Sequence, residues 1–338
     1  MDAAAIQRAI DRQPRLDLID LPTPLHFCPR LTAELGGPRI FIKRDDLTGL
    51  ALGGNKSRYL EFTLGEVVDR GCNAAVISAV VQSNHCRQFA AAVAKQGLKG
   101  VVVLRQDDTP MGRSQPVNGN YLLNHLFGAE VRMARRDDIG QAIAAALEDL
   151  RQAGYTPAQV PGPPAAVSYI QTALELDAQC RAQEVDLGHI FISSGGTSLS
   201  GLVAGFNLLD QAPHFVGLPQ SRPANTDAAP QQVVQRAQNT AQLIGLSCDP
   251  NPAHIHVEGD YVGPGFGVVD DRTHQAILLL ARTEGILVDP TYTGKAFAGL
   301  VDYIRRGLIP SASDVVFVHT GGVPLNFVYG EELFAAGT

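Results

Sequence analysis

One lysine, Lys56, follows Gly53-Gly54-Asn55 and precedes an amphipathic run from Tyr59 to Val68. A lysine at such a loop-to-helix junction can turn into a cleft, lose hydration and stay neutral. The neutral amine is the form that attacks an aldehyde or ketone and leaves a Schiff base. The same pattern also describes an ordinary solvated lysine at a helix start. Three polar clusters stand where apolar runs end: Gln82-Ser83-Asn84-His85, Ser193-Ser194-Gly195-Gly196-Thr197-Ser198 and His319-Thr320-Gly321-Gly322. In open α/β sheets ligands gather at the carboxyl ends of strands, so these clusters and an amine can build one site. The middle cluster pairs glycines with a following helix, an arrangement that surrounds a phosphate with N–H groups and hydroxyls. It also fits a plain strand-to-helix turn capped by Thr197 or Ser198. The nucleotide fingerprint G-x-x-x-x-G-K-[ST] is absent, and this loop lacks G-x-G-x-x-G.

Other reactive side chains have two readings each. His85 is either a base or a satisfied histidine at a helix start. Tyr292 is either a proton donor in a cleft or a core tyrosine. His254 and His256 flank Ile255 in a strand and share one face, but no third ligand lies nearby, so no metal site is expected. Asp45 and Asp46 follow Lys43-Arg44 and read as local surface pairs, and Cys86 reads as helix filler.

The elements that must position these residues alternate. Short strands are expected at 39–43, 74–81, 100–105, 130–133, 189–193, 214–218, 254–257 and 314–318. Helices are expected at about 57–70, 86–96, 118–127, 166–183, 198–209, 231–243 and 272–284. Strands and helices in this order argue for right-handed βαβ units and a doubly wound α/β class. A proline-rich stretch between Tyr155 and Ala166 reads as a crossing between two domains.

A chain of 338 residues exceeds the size at which single cores stop growing, and 45% hydrophobic with 18% charged residues is ordinary for a globular enzyme. A net charge of −7 opposes a nucleic-acid partner, and no apolar run is long enough to span a bilayer. The first residues are apolar only briefly before Asp11 and Arg12, which suggests a cytoplasmic chain. Five scattered cysteines suggest neither disulfides nor zinc.

Taken together, Pro22-Thr23-Pro24-Leu25, Lys43-Arg44-Asp45-Asp46, Gly53-Gly54-Asn55-Lys56, Gln82-Ser83-Asn84-His85, Ser194-Gly195-Gly196-Thr197, Asp289-Pro290-Thr291-Tyr292-Thr293-Gly294-Lys295 and His319-Thr320-Gly321-Gly322 occur in one order. In these motifs the chain resembles the D-cysteine desulfhydrase and 1-aminocyclopropane-1-carboxylate deaminase family of pyridoxal-phosphate enzymes, from about residue 15 to 330. The resemblance implies a tryptophan-synthase-β-like fold of two doubly wound domains with mainly parallel sheets. Residues 1–57 and 165–338 would form a large cofactor-binding domain, and 58–164 a small one. It implies that Lys56 carries the cofactor as a Schiff base and moves the Cα proton, with Ser83 and Tyr292 completing the catalytic set. Asn84 would bond the 3-hydroxyl, Ser194, Gly195, Gly196, Thr197 and Thr293 would hold the cofactor and its phosphate, and Thr320 would meet the ring nitrogen. Asn55, Ser83, His85, Tyr261 and Tyr292 would surround a small amino-acid substrate, and the assembly would be a homodimer.

Deaminases of the family carry Glu at the position of Thr293 and Gln at that of His85, so the resemblance favours the desulfhydrase side. It implies α,β-elimination of D-cysteine to pyruvate, sulfide and ammonia. The alternatives are a lyase for L-cysteate or another β-substituted alanine, deaminase-like activity, or a cofactor-binding protein without turnover. Tyr59 stands where the family usually has Lys, and Phe266 where a tyrosine is common.

Overall fold

The apolar runs read as central strands lack a polar face, and the computed structural model, which describes residues 1–335, buries these central strands from both sides while the outer strands keep exposed residues. The strands are β1 (Leu25–Phe27), β2 (Ile40–Lys43), β3 (Ala74–Val80), β4 (Lys99–Arg105), β5 (Glu130–Ala134), β6 (Pro157–Gln159), β7 (Leu187–Ile192), β8 (His214–Gly217), β9 (Ile255–Val257) and β10 (Asp314–Val318). One sheet has the order β1-β2-β10-β7-β8-β9 and is parallel except for the β1–β2 pair. The other, β5-β4-β3-β6, is wholly parallel.

Successive strand residues point to opposite faces, and here both faces are core. Val316, Val318, Ile190 and Ile192 pack on one side of the first sheet, Val315, Phe317 and Phe191 on the other. In the second sheet Ala75, Ile77, Val102 and Leu104 oppose Ala74, Val76, Val101 and Val103. Helices therefore cover both faces of each sheet, and the α/β class expected from the alternation is the one observed.

The proline-rich stretch is not only a crossing, because it contains β6. Pro157 opens that edge strand, a position where a missing N–H does no harm. The helix Ile139–Gln152 was not anticipated, although Ala142, Ala146 and Leu150 recur at helical spacing beneath the second sheet. The helix Thr293–Arg305 also escaped the sequence reading, since its Thr-Gly-Lys start resembles a loop.

Asp45 and Asp46 are not surface pairs: both are buried. Asp46 does take a fork from Arg44, at 2.9 and 2.7 Å. Asp45 instead accepts from Arg58 Nη2, Tyr169 Oη and Thr23 Oγ1, each at 2.8 Å. Arg58 also forks onto Glu175 at 2.8 and 2.9 Å, and Lys43 Nζ reaches the same carboxylate at 2.9 Å. Burial opposes each of these charges, but the two bases and two acids match. Together they hold Arg58 above its ordinary pKa and Glu175 down at about 2. The cluster joins β2, the helix Asn55–Asp69 and the helix Val167–Ala182. Removing one member strands a buried partner, so Arg58→Met is expected to lose about 3–5 kcal/mol in denaturant unfolding. A loss below about 1 kcal/mol would mean that the cluster does not hold these elements together.

Candidate active site

The loop before Lys56 has to turn where side chains do not fit. Gly53 and Gly54 have φ of 67° and 124°. A Cβ on Gly53 would lie 1.8 Å from the Asp46 carbonyl oxygen, and one on Gly54 would lie 2.8 Å from Gln88 Nε2. From there the helix Asn55–Asp69 starts under three restraints. Asn55 N donates to the Thr320 carbonyl at 3.0 Å, Ser57 N and Oγ donate to Gln88 Oε1 at 2.5 and 2.6 Å, and Arg58 is held from behind. Lys56 is thereby turned into a cavity of about 580 Å³. Its Nζ lies 4.4 Å from the centroid of the Tyr59 ring, a cation–π contact rather than an ion pair. Burial without a compensating carboxylate pushes the amine down to about 8.

The cavity wall comes from the carboxyl ends of β3, β7 and β10, where the three polar clusters stand, and also of β8, which the sequence reading had not marked. After β3, Ser83 caps the helix Asn84–Gln96, its Oγ accepting from His85 N and Cys86 N at 3.1 and 3.2 Å. Asn84 Oδ1 accepts from Asn120 Nδ2 at 2.9 Å and from Arg87 Nη1 at 3.2 Å. With two donors on its oxygen, the amide nitrogen of Asn84 is left for the cavity. His85 Nε2 is buried without a partner. Burial first, then the Lys56 charge, lowers this imidazole to about 3, so it is neutral at ordinary pH.

After β7, Ser193 to Ser198 wrap one end of the cavity. The turn is capped by neither Thr197 nor Ser198: Ser194 Oγ accepts from Gly196 N at 3.2 Å and from Leu199 N at 3.4 Å. Ser198 Oγ instead meets Tyr59 Oη at 2.5 Å and Asn55 Nδ2 at 3.3 Å. Burial pushes the Tyr59 hydroxyl up to about 12. The loop leads into the N-terminus of the helix Thr197–Leu208, where N–H groups and the helix dipole favour an anion. Arg236, from the helix Ala229–Leu243, adds a guanidinium: a Cβ on Gly196 would stand 2.6 Å from its Nη1. Opposite, Tyr292 is half-buried and packs edge-on against Phe266 at 5.9 Å.

The cavity thus brings together Asn55, Lys56, Ser83, Asn84, His85, Ser194, Gly195, Gly196, Thr197, Tyr292 and Thr320 from the sequence reading. Two expected members stand elsewhere. Thr293 is buried outside the wall, its hydroxyl donating to Asp289 Oδ2 at 2.7 Å with the Gly321 carbonyl as the alternative acceptor at 3.1 Å. Tyr261 is also off the wall, its hydroxyl donating to Asp302 at 2.5 Å. Asp289, Gln232, Arg222 and Arg236 line the cavity and were not singled out. Asp289 accepts from the amides of Thr291, Tyr292 and Thr293 at 2.8, 2.8 and 2.9 Å, which the turn-forming Asp-Pro in its motif hints at. No local pattern marks Arg236, which lies 40 residues beyond the loop it approaches. His254 and His256 do share a face, and both rings stack near His214, at 4.9 and 6.4 Å.

A family profile described as pyridoxal-phosphate dependent enzyme matches residues 16–321. A D-cysteine desulfhydrase from Salmonella choleraesuis (strain SC-B67) is 38% identical over 327 residues, 95% of this chain and 97% of that protein. Among solved structures, an ACC deaminase homologue superposes with a TM-score of 0.84 at 30% identity, covering 98% of each chain. Threonine deaminase isoform 2 from Solanum lycopersicum superposes with a TM-score of 0.67 at 14% identity, covering 99% of this chain and 89% of that one, a likeness of fold alone. The cavity fits the cofactor that the family name carries. It holds a depressed and unpaired amine, a glycine-lined helix start beside a guanidinium, and an amide nitrogen fixed toward the open space. The chain belongs to the pyridoxal-phosphate dependent enzyme family, and its cofactor is pyridoxal phosphate.

Proposed function

We propose that the protein is a lyase that eliminates the β-substituent of a small amino acid, with D-cysteine as substrate. The observation that carries this reading is the unpaired, depressed Lys56 amine facing Ser83, Asn84 and His85 across one cavity. Full-length similarity to D-cysteine desulfhydrases supports the choice of substrate. Overall, D-cysteine and water give pyruvate, hydrogen sulfide and ammonia.

Bound pyridoxal phosphate supplies an electron sink for the pair left when Cα loses its proton. Lys56 is the amine that would hold the cofactor's aldehyde carbon and carry the Cα proton. Asn84 would offer its amide nitrogen to the 3-oxygen, and Thr320 would offer a neutral hydroxyl to the ring nitrogen. The loop Ser194 to Thr197, the Tyr59–Ser198 pair and Arg236 would hold the phosphate, so a tyrosine and a distant arginine would act where a lysine at position 59 would. Ser83, neutral His85 and Asn55 take the substrate carboxylate by hydrogen bonds, and Tyr292 borders the reacting carbons. Thr293 acts indirectly by fixing Asp289.

We also assign residues 1–57 and 165–338 to a large domain and 58–164 to a small one, since β3 to β6 all lie within the latter. A homodimer working in the cytoplasm completes the reading. No helix among the described residues is long and apolar enough to cross a membrane.

The decisive experiment adds D-cysteine, L-cysteine and L-cysteate in turn to the holoenzyme and measures pyruvate, sulfide and sulfite. Pyruvate with sulfide from D-cysteine is expected, while sulfite from L-cysteate alone would move the substrate to a sulfonate. Lys56→Ala should lower kcat by roughly two to four orders of magnitude, and unchanged turnover would remove Lys56 from the chemistry. Because the neutral amine is the reactive form, the rate at which the apo protein develops visible absorbance with added pyridoxal phosphate should rise through a midpoint near pH 8. A midpoint near 10.5 would mean the amine is solvated. Arg236→Ala should weaken pyridoxal phosphate retention about tenfold while leaving the affinity for unphosphorylated pyridoxal unchanged, measured by fluorescence titration. An equal loss for both would place Arg236 away from the phosphate.

A further inference from the structure

Among the described residues two arginines are buried, Arg58 and Arg87, and of these only Arg58 has a counterion. Arg58 is paired with Asp45 and Glu175. Arg87 is 0% exposed and meets no carboxylate among the described residues. Its Nη1 donates to Asn84 Oδ1 at 3.2 Å and to Asn120 Oδ1 at 3.0 Å, its Nη2 donates to the Gly53 carbonyl at 2.7 Å, and its Nε has no partner. The titratable side chains around this end of the helix are Lys56, Tyr59 and His85 on the cavity side, Cys86 beside it and Tyr292 across. The one carboxylate among the cavity residues is Asp289, whose oxygens are taken by the amides of Thr291, Tyr292 and Thr293 and by the Thr293 hydroxyl, so it does not pair with Arg87.

A buried guanidinium surrounded by neutral dipoles is an expensive arrangement, since a charge taken from water normally needs an opposite charge. Burial lowers Arg87 to about 9, which still leaves it protonated at neutral pH. The arrangement becomes favourable if an anion arrives nearby. Asn84 is both the residue Arg87 grips and a wall of the cavity. Asn120 holds the same Oδ1, at 2.9 Å, and is anchored in turn on the Gln82 carbonyl at 2.8 Å. Arg87 also fixes Gly53, three residues before Lys56.

We propose that Arg87 is a positioning residue for the cofactor: acting through Asn84, it orients the amide toward the 3-oxygen and supplies the positive charge that keeps this oxygen ionised. The proposal rests on the placement of Asn84 given above. It assigns the missing counterion of Arg87 to the bound cofactor, so the buried charge is compensated only in the holoenzyme.

The test is a pH titration of the visible absorbance of the bound cofactor in wild type, Arg87→Gln and Arg87→Lys. A nearby cation favours the deprotonated cofactor. Its loss in Arg87→Gln should therefore raise the titration midpoint by about one pH unit, a tenfold change in the equilibrium. Arg87→Lys keeps the charge and should stay within about a third of a unit. If Arg87→Gln does not fold, Asn120→Asp places a carboxylate on Nη1 and should shift the midpoint in the same direction with the arginine still present. A merely structural arginine would lower the melting temperature and leave the midpoint where it is; that result, in Arg87→Gln or in Asn120→Asp, overturns the proposal. Absence of a visible band in the wild type with pyridoxal phosphate would overturn the reading of the site itself, before any variant is compared.

Discussion

The ion cluster of Arg58, Asp45, Glu175 and Lys43 is the contact on which the site geometry depends. Residues on a helix are separated by about 100° of rotation, so Lys56 and Arg58 point to nearly opposite sides and Lys56 and Tyr59 to the same side. Pinning Arg58 to two carboxylates at the back therefore aims Lys56 forward and sets the Tyr59 ring beneath its amine. Because Glu175 belongs to the helix Val167–Ala182 and Asp45 follows β2, the aim of the lysine is fixed by the core of the six-stranded sheet. The gap left at Gly53 and Gly54 admits the turn that starts the helix. A bulkier loop would collide with the Asp46 carbonyl before Lys56 could reach the cavity.

The same cluster decides where acids are absent. An amine that is to react as a nucleophile near neutral pH must not sit beside a carboxylate, which would hold it protonated. The acids nearest to the start of the Lys56 helix are spent on Arg58, Lys43, Tyr169 and Arg44, all turned away from the cavity. Asp289, which does line the cavity, has its oxygens occupied by three backbone amides and the Thr293 hydroxyl. Its charge is directed into the start of a helix, where the N–H groups stabilise it. The site thus keeps Lys56 unpaired without being poor in acidic residues.

Much of this was legible in the sequence because strands and loops obey local rules. Apolar runs of five to eight residues bounded by polar clusters located the central strands to within a residue or two, and clusters at their ends became part of the cavity wall. What was not legible depended on distant chain. Asp45 and Asp46 looked like surface acids beside Lys43 and Arg44, since the partners that make burial of Asp45 tolerable, Arg58 and Tyr169, lie 13 and 124 residues away. Thr293 and Tyr261 carried plausible hydroxyls, but only tertiary structure reveals that Asp289 and Asp302 already use them. Arg236 reaches the glycine loop from a helix whose sequence reads as an ordinary glutamine-rich surface. The short strand β6 was hidden by prolines that an edge strand tolerates.

His85 shows how burial selects the means of recognition. Both its desolvation and the Lys56 amine disfavour an imidazolium, so near pH 7 the ring is neutral and would meet a carboxylate only as a hydrogen-bonding group. Charge attraction to such a carboxylate would then have to come from elsewhere, and the start of the helix Asn84–Gln96 is placed to supply part of it. Ser83 caps that helix, and the N-terminal end of its dipole points toward the cavity. A full positive charge at His85 would attract the carboxylate more strongly, but burial and the neighbouring Lys56 amine make that charge costly to form. A neutral ring avoids adding a second cation to the one that Lys56 intermittently carries, and leaves the carboxylate to be placed by geometry. The unpartnered Nε2 of His85, an unfavourable feature in a closed core, is thus what a substrate carboxylate would satisfy.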